Sequence, residues 1–417
     1  MRQRSQLRDL SQGVSGLFIV AGLYRSAQNM ALTTLALIVK DDLGYGAGTI
    51  GIISALSGIV LVLCTVFISA RLRTNQLERA VSISLIALAI ALIVIGLSRS
   101  VYVTALATLL LGVAGGLGMP SLAGSVQVTA HKTHVNPQRI LALYTVVLSV
   151  SLALGPLLEA GLLDVTHQDV RWPFLAFATL PLLALVVMRL RSREARSLAT
   201  QDDSGTTDPT ITAGTQPKVR LLGTPEFMKA LLAQLMYSVP FVALTVFGAE
   251  VARVTDGATA AQAQLAFTIF FIFSLSCRAF VAWQSPIARK GIAYGLSGVL
   301  TIVGLALIAG GHSFVFFLLG MIILGLPHGA IFPLALSALS SSLPAEQLPS
   351  ANAVLMGSGN VISIAAPPIL GIIATDTTYR FMMTTVLVPV VITLIVFLVI
   401  VVLSRRRHRS AIVTPLR

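Results

Sequence analysis

Long apolar runs alternate with short polar breaks along almost the whole chain. Reading each run between its polar flanks predicts helical spans at 12–38, 48–70, 79–98, 101–126, 138–163 and 170–190. A second series follows at 224–249, 262–285, 291–311, 313–339, 348–374 and 380–403. Each is near the roughly 20 residues with which an α-helix crosses a ~30 Å hydrocarbon layer. Residues 197–222, including Gln201, Asp202, Asp203 and Asp208, form the long polar stretch and hold too little apolar surface to fold. The pattern predicts an all-α integral membrane protein. Its parts are a six-helix bundle at 1–190, a flexible cytoplasmic linker at 191–222, a second six-helix bundle at 223–403 and a basic cytoplasmic tail at 404–417.

Composition supports this reading. Of the 417 residues 55% are hydrophobic and 11% charged, with a mean hydropathy of +0.88. Soluble domains carry about 25% charged residues, so this chain cannot cover itself with a water-facing surface. The net charge of +13 lies in short segments between apolar runs, which points to membrane orientation and away from nucleic acid. The first run, behind Arg2, Arg4 and Arg8, is too long for a signal peptide and is read as a retained helix.

Alternate loops differ in positive charge, and positive loops resist translocation. One set holds the amino tail, Arg71, Arg73 and Arg79, Lys132 and Arg139, the arginines at 189, 191, 193 and 196, Arg289 with Lys290, and the tail from Arg405. The other holds Lys40, Arg99, Arg171, Arg253 and Arg380, mostly beside acids such as Asp41, Asp169 and Asp256. Both termini are therefore expected in the cytoplasm of a multi-pass plasma-membrane protein. The loop at 340–347, with Glu346 and no base, departs from the trend. Cys64 and Cys277 both fall in apolar runs and read as small buried thiols, with no disulfide framework and no metal cluster.

The two halves repeat. Leu111-Gly112, Gly116 and Pro120 recur 213 residues later as Leu324-Gly325, Gly329 and Pro333. Leu23, Ser26 and Ala31-Leu32-Thr33 recur after 212 as Leu235, Ser238 and Ala243-Leu244-Thr245, and Gly155-Pro156 aligns with Pro367-Pro368. Three matches in order at nearly one offset indicate a duplicated unit.

Six plus six helices, the central polar linker and this duplication resemble the major facilitator superfamily over essentially the whole chain. The resemblance implies two bundles related by a pseudo-twofold axis, a midplane substrate site between them, and alternating access. The run Ser151-Leu-Ala-Leu-Gly155-Pro156-Leu-Leu-Glu159-Ala160 is similar to the family's antiporter motif. Gly155 and Pro156 are kept as a structural hinge, while Ser151, Glu159 and Ala160 replace glycines. The loop from Arg71 to Arg79 keeps basic residues without the family's Gly and Asp, and its counterpart keeps Arg289, Lys290 and Gly291. The fourth span lacks the arginine that many drug:proton antiporters of the family carry there.

Ionisable and amide side chains at membrane depth are expensive and are candidate functional groups. Arg25, Gln28 and Asn29 share one face of the first span, and Gln234, Tyr237 and Ser238 repeat that spacing in the seventh. The two stripes are expected to face each other across a cavity, binding substrate or alternatively making interhelical hydrogen bonds. His328, between Pro327 and Gly329, and Asn360, after Gly357-Ser358-Gly359, are further substrate-binding candidates. Each is also readable as a packing residue, the glycines as close-packing points. Glu159 reads as an outer-gate ion pair, a proton carrier or a group reaching interfacial water. Arg278 lies near the cytoplasmic end of the eighth span, where it can snorkel to the surface, and relatives carry a gating arginine there.

These features predict a monomeric secondary transporter of a small organic molecule, with protons as coupling ion and efflux suggested by the Gly-Pro motif. The alternative is a carrier of a carboxylate or phosphate compound held by Arg25. An enzyme needs clustered His, Asp, Glu or Cys, whereas the six histidines are scattered and no HExxH, CxxC or Walker-type loop occurs. No catalytic residue, metal or cofactor is expected.

Overall fold

The computed structural model describes residues 14–132, 137–199, 224–284, 290–343 and 347–413, and they contain no strand. Most of the expected linker, the amino tail with Arg2, Arg4 and Arg8, and Arg289 and Glu346 lie outside the described residues.

Helix α1 spans Ser15–Leu37 and continues through a π turn, Ile38–Asp42. Then follow α2 (Ala47–Leu63), α3 (Leu77–Leu97), α4 (Val101–Lys132) and α5 (Pro137–Val165). Helix α6 runs over Arg171–Phe177 and resumes as Thr179–Ala199. Its break has a local cause: Pro181 lacks the amide hydrogen that would bond the Phe177 carbonyl.

The second series is α7 (Pro225–Asp256), α8 (Ala260–Trp283), α9 (Lys290–Gly310), α10 (Phe314–Ser342), α11 (Leu348–Asp376) and α12 (Tyr379–Val413). Helix α7 runs well past the expected end at 249. It stops where Gly257 takes the left-handed conformation (φ 69°) and its amide bonds the Arg253 carbonyl at 3.2 Å.

Among the described residues eleven helices are long and apolar enough to cross a membrane. The expected count was twelve, and the missing one is α1, whose apolar run is interrupted by Arg25, Gln28 and Asn29. Its burial is extensive, from Leu17 to Leu37. Outward faces elsewhere carry Ile52, Leu106, Val361 and Ile392, each more than half exposed. Large apolar side chains exposed along helix after helix belong in lipid.

Contacts divide the chain into two units, one of residues 1–212 with 259–268, the other of 213–258 with 269–417. In unit 1, α1 packs on α5 and α6, and α3 on α4; in unit 2, α7 packs on α11 and α12, and α9 on α10. In unit 2, Phe227 and Ala230 of α7, Ala335 and Leu339 of α10, and Ala351 and Leu355 of α11 form a buried apolar core.

The duplication is visible at the level of single atoms. A methyl group added at Gly112 would lie 2.5 Å from the Ser57 carbonyl oxygen, and one at Gly116 2.5 Å from that of Leu61. In unit 2 a methyl at Gly325 would meet the Phe270 carbonyl at 2.5 Å, and one at Gly329 would collide with that of Ser274. The glycines and the carbonyls they pack against are alike displaced by 213 residues. The repeated glycines are thus crossing points where α4 meets the backbone of α2, and α10 that of α8.

Candidate functional site

In unit 1 the polar stripe of α1 is largely bonded within the protein. The Arg25 guanidinium donates to the Gln28 side-chain oxygen at 2.8 Å and lies within electrostatic reach of the Tyr144 hydroxyl. Gln28 and Asn29 are buried. Asn29 donates through Nδ2 to the Leu152 carbonyl at 3.0 Å. That carbonyl is the one Pro156 cannot serve, because proline removes the amide bond to the residue four places earlier. Ser26 binds the neighbouring Ser151 carbonyl at 3.2 Å. A methyl on Gly155 would come to 2.9 Å from the Ser26 carbonyl oxygen, so α1 and α5 touch there by backbone. Pro120 is treated alike: Ser69 donates at 2.6 Å to the freed Gly116 carbonyl. Tyr24, not singled out in the sequence, donates to the Ala114 carbonyl at 2.8 Å.

Glu159 is fully buried and accepts a short hydrogen bond from the Thr34 hydroxyl, which in turn accepts from the Gln264 side-chain amide at 3.3 Å. Its second oxygen has no hydrogen-bond partner among the described residues. No ion pair to Glu159 is found among the described residues, and its side chain is fully buried. At the loop end of α1, Arg171 bridges to Asp42 at 2.7 Å, and its own amide is held by Asp169 at 3.0 Å. Burial pushes the Asp42 carboxyl above its usual range, and Arg171 only partly offsets this.

In unit 2, Tyr237 is buried and His328 and Gln234 partly so. The His328 ring stacks on Phe241, with centroids 4.7 Å apart and planes 18° from parallel. Its Nδ1 pairs with the Ser274 hydroxyl at 2.6 Å. Arg278 is partly buried with a fully buried Nε, and its guanidinium lies within electrostatic range of the Tyr237 hydroxyl. Asn360 is partly buried, and Ser358 and Ser363 bond carbonyls of their own helix. Among the described residues nothing lies within 4 Å of a methyl at Gly357, and Ser238 Oγ lies 4.0 Å from one at Gly359. Cys64 is buried as expected, but Cys277 only partly.

Some groups escaped the sequence. Glu250 is fully buried with Arg253 at 3.8 Å, but the expected span stopped one residue short of it. Arg380 gathers Asp256 at 3.2 Å, the Thr255 carbonyl at 3.1 Å and His312 Nδ1 at 2.8 Å. The pairing of loop arginines with acids was the signal available for that cluster.

The Major Facilitator Superfamily profile matches residues 17–257 and 230–416, together nearly the whole chain. The chain belongs to the major facilitator superfamily. Solved structures agree on the fold of this transporter. A variant of the nucleoside transporter NupG superposes with a TM-score of 0.74 at 12% identity, covering 92% of this chain and 98% of that one. A bacterial homolog of the human lysosomal transporter Spinster, inward-facing and occupied, gives 0.66 at 12% identity, covering 93% and 96%. A variant of the peptide transporter POT in complex with sulfate gives 0.67 at 15% identity, covering 93% and 95%. No curated protein sequence matches the chain. The chain is thus a multi-pass membrane transporter with the family's two-bundle fold, and not an enzyme.

Proposed function

We propose that this transporter exports a small organic molecule across the plasma membrane in exchange for protons, as a monomer with both termini cytoplasmic. The working parts in this reading are the bundles 1–190 and 223–403, the cytoplasmic linker 191–222 and the basic tail 404–417. Glu159 is the observation that carries it: a carboxyl at full burial, bonded to Thr34, one turn beyond Gly155 and Pro156. A carboxyl can carry a proton as a neutral acid and release it as an anion, and alternating access would present it to each side in turn. Arg25, Gln28, Asn29, Gln234, Tyr237, His328 and Asn360 are the substrate-binding groups, and Arg278 acts in gating. Solved proteins of this fold are named for nucleosides and for peptides, so the fold does not choose the cargo.

Proteoliposomes holding the full chain test the reading with a panel of labelled compounds under an imposed pH gradient. Wild-type flux should accelerate with a gradient of one sign. Glu159→Gln should move the same compound at a rate indifferent to the gradient. Wild-type flux that ignores gradients of both signs overturns proton coupling.

Arg25 supports a second reading, transport of a carboxylate or phosphate compound, because its guanidinium sits mid-helix beside Gln28 and Tyr144. Arg25→Gln should abolish anion uptake under this reading, and under the first should weaken export of the compound without removing its response to the pH gradient.

A further inference from the structure

We propose that unit 2 carries a ring-binding subsite for a planar aromatic or heteroaromatic group bearing a hydrogen-bond-accepting oxygen. Gln234, Tyr237, Ser238 and Phe241 lie at i, i+3, i+4 and i+7 and so share one face of α7. Against that face stands the His328 ring, stacked on Phe241 and 5.4 Å from the centroid of Tyr237. Phe270 and Phe271 complete the wall at 5.2 and 5.8 Å from His328, the second edge-on.

Three features set this cluster apart from ordinary packing. First, its rings differ in access: Phe270 and Phe271 are buried, whereas Phe241 and His328 keep partly open faces. An imidazole does not turn its open side to hydrocarbon without cost. Second, the Tyr237 hydroxyl is buried without a hydrogen-bond partner among the described residues, beside the cationic Arg278. A buried hydroxyl left unbonded is costly, and an acceptor oxygen on a ligand would accept its hydrogen bond. Third, the shared helical frame does not require these rings. The duplicated positions hold Arg25 for Tyr237, Asn29 for Phe241 and Gly115 for His328. At Gly115 a side chain would meet Leu61 Cδ1 at 2.9 Å and the Gln28 amide at 3.0 Å, so in unit 1 an aliphatic and an amide side chain occupy that space and no ring does.

The subsite is also held rigidly. Ser274 fixes the imidazole through Nδ1, and the backbone contacts at Gly325 and Gly329 clamp α10 to α8 on both sides of His328. A fixed stack offers a planar ligand an offset or edge-on partner that a saturated ring of equal size cannot use.

The inference rests on the transport reading only in taking the ring to belong to the cargo. Its test is equilibrium binding to the purified full chain in detergent, with 2-naphthoate and its fully saturated analogue decahydro-2-naphthoate as probes. Naphthoate should bind about tenfold more tightly than the saturated acid. Phe241→Leu, checked for a monodisperse fold, should erase that preference, and Phe241→Trp should keep it. Tyr237→Phe should weaken naphthoate about fivefold by removing the hydroxyl donor. Equal affinity for the two acids, no binding of either, or a preference that survives in Phe241→Leu overturns the subsite. Ring-selective binding without gradient-driven flux of any compound would leave the subsite standing and remove the proton-coupled reading. Gradient-driven flux with no ring selectivity would do the reverse.

Discussion

Asn29 shows how a polar side chain at membrane depth can serve the backbone. Pro156 removes one amide bond from α5, and the freed Leu152 carbonyl is served by Asn29 from α1. The coupling is testable as a double-mutant cycle. Asn29→Leu should cost about 1–2 kcal/mol, the scale of interhelical hydrogen bonds in model membrane peptides, read as a lower unfolding midpoint in detergent. In a Pro156→Ala background, where the helix bonds its own carbonyl, the same change should cost much less. Equal costs in both backgrounds would refute the pairing. The sequence placed Asn29 on a polar face but not its target, because a side chain's partner on another helix leaves no local pattern. Tyr237 and His328 were legible as polar interruptions of apolar runs. Phe241, Phe270 and Phe271 were not, since aromatic residues in an apolar run read the same whether they face lipid, core or ligand.

At the scale of elements, hydrophobic pattern and glycine spacing carried most of the information. The starts of α3, α4, α5 and α7 fall within two residues of expectation. Ends were less legible where amphipathic turns prolong a helix beyond its apolar run, as in α4 to Lys132 and α7 to Asp256. That extension brought Glu250 inside. The repeated glycines were recognisable as a pattern, and their cause is now evident: each sits against a carbonyl of the neighbouring helix. Backbone cannot yield as a flexible side chain does, so Gly329→Ala and Gly116→Ala should each destabilise by about 1–3 kcal/mol. Gly291→Ala, with nothing within 4 Å among the described residues, is the control and should be neutral or slightly stabilising. Thermal unfolding of the three purified variants decides the matter, and an unshifted Gly329→Ala would refute the crossing.

For the whole molecule, the loop charges predict sidedness. In a Cys64→Ala, Cys277→Ala background, a cysteine at Asp169 should react with a membrane-impermeant maleimide added to intact cells. One at Arg73 should react only after permeabilisation. The reverse pattern would invert the proposed orientation and with it the direction of export. The central claim is that cargo and protons exchange through one carrier with Glu159 as the proton site. The most direct measurement is lumenal pH in proteoliposomes loaded with pyranine and with the compound that wild-type protein moves best, diluted into compound-free buffer at equal pH. Outflow of the compound should acidify the lumen in wild type and leave it unchanged in Glu159→Gln. Outflow at constant lumenal pH in wild type, or undiminished acidification in the variant, would contradict the account.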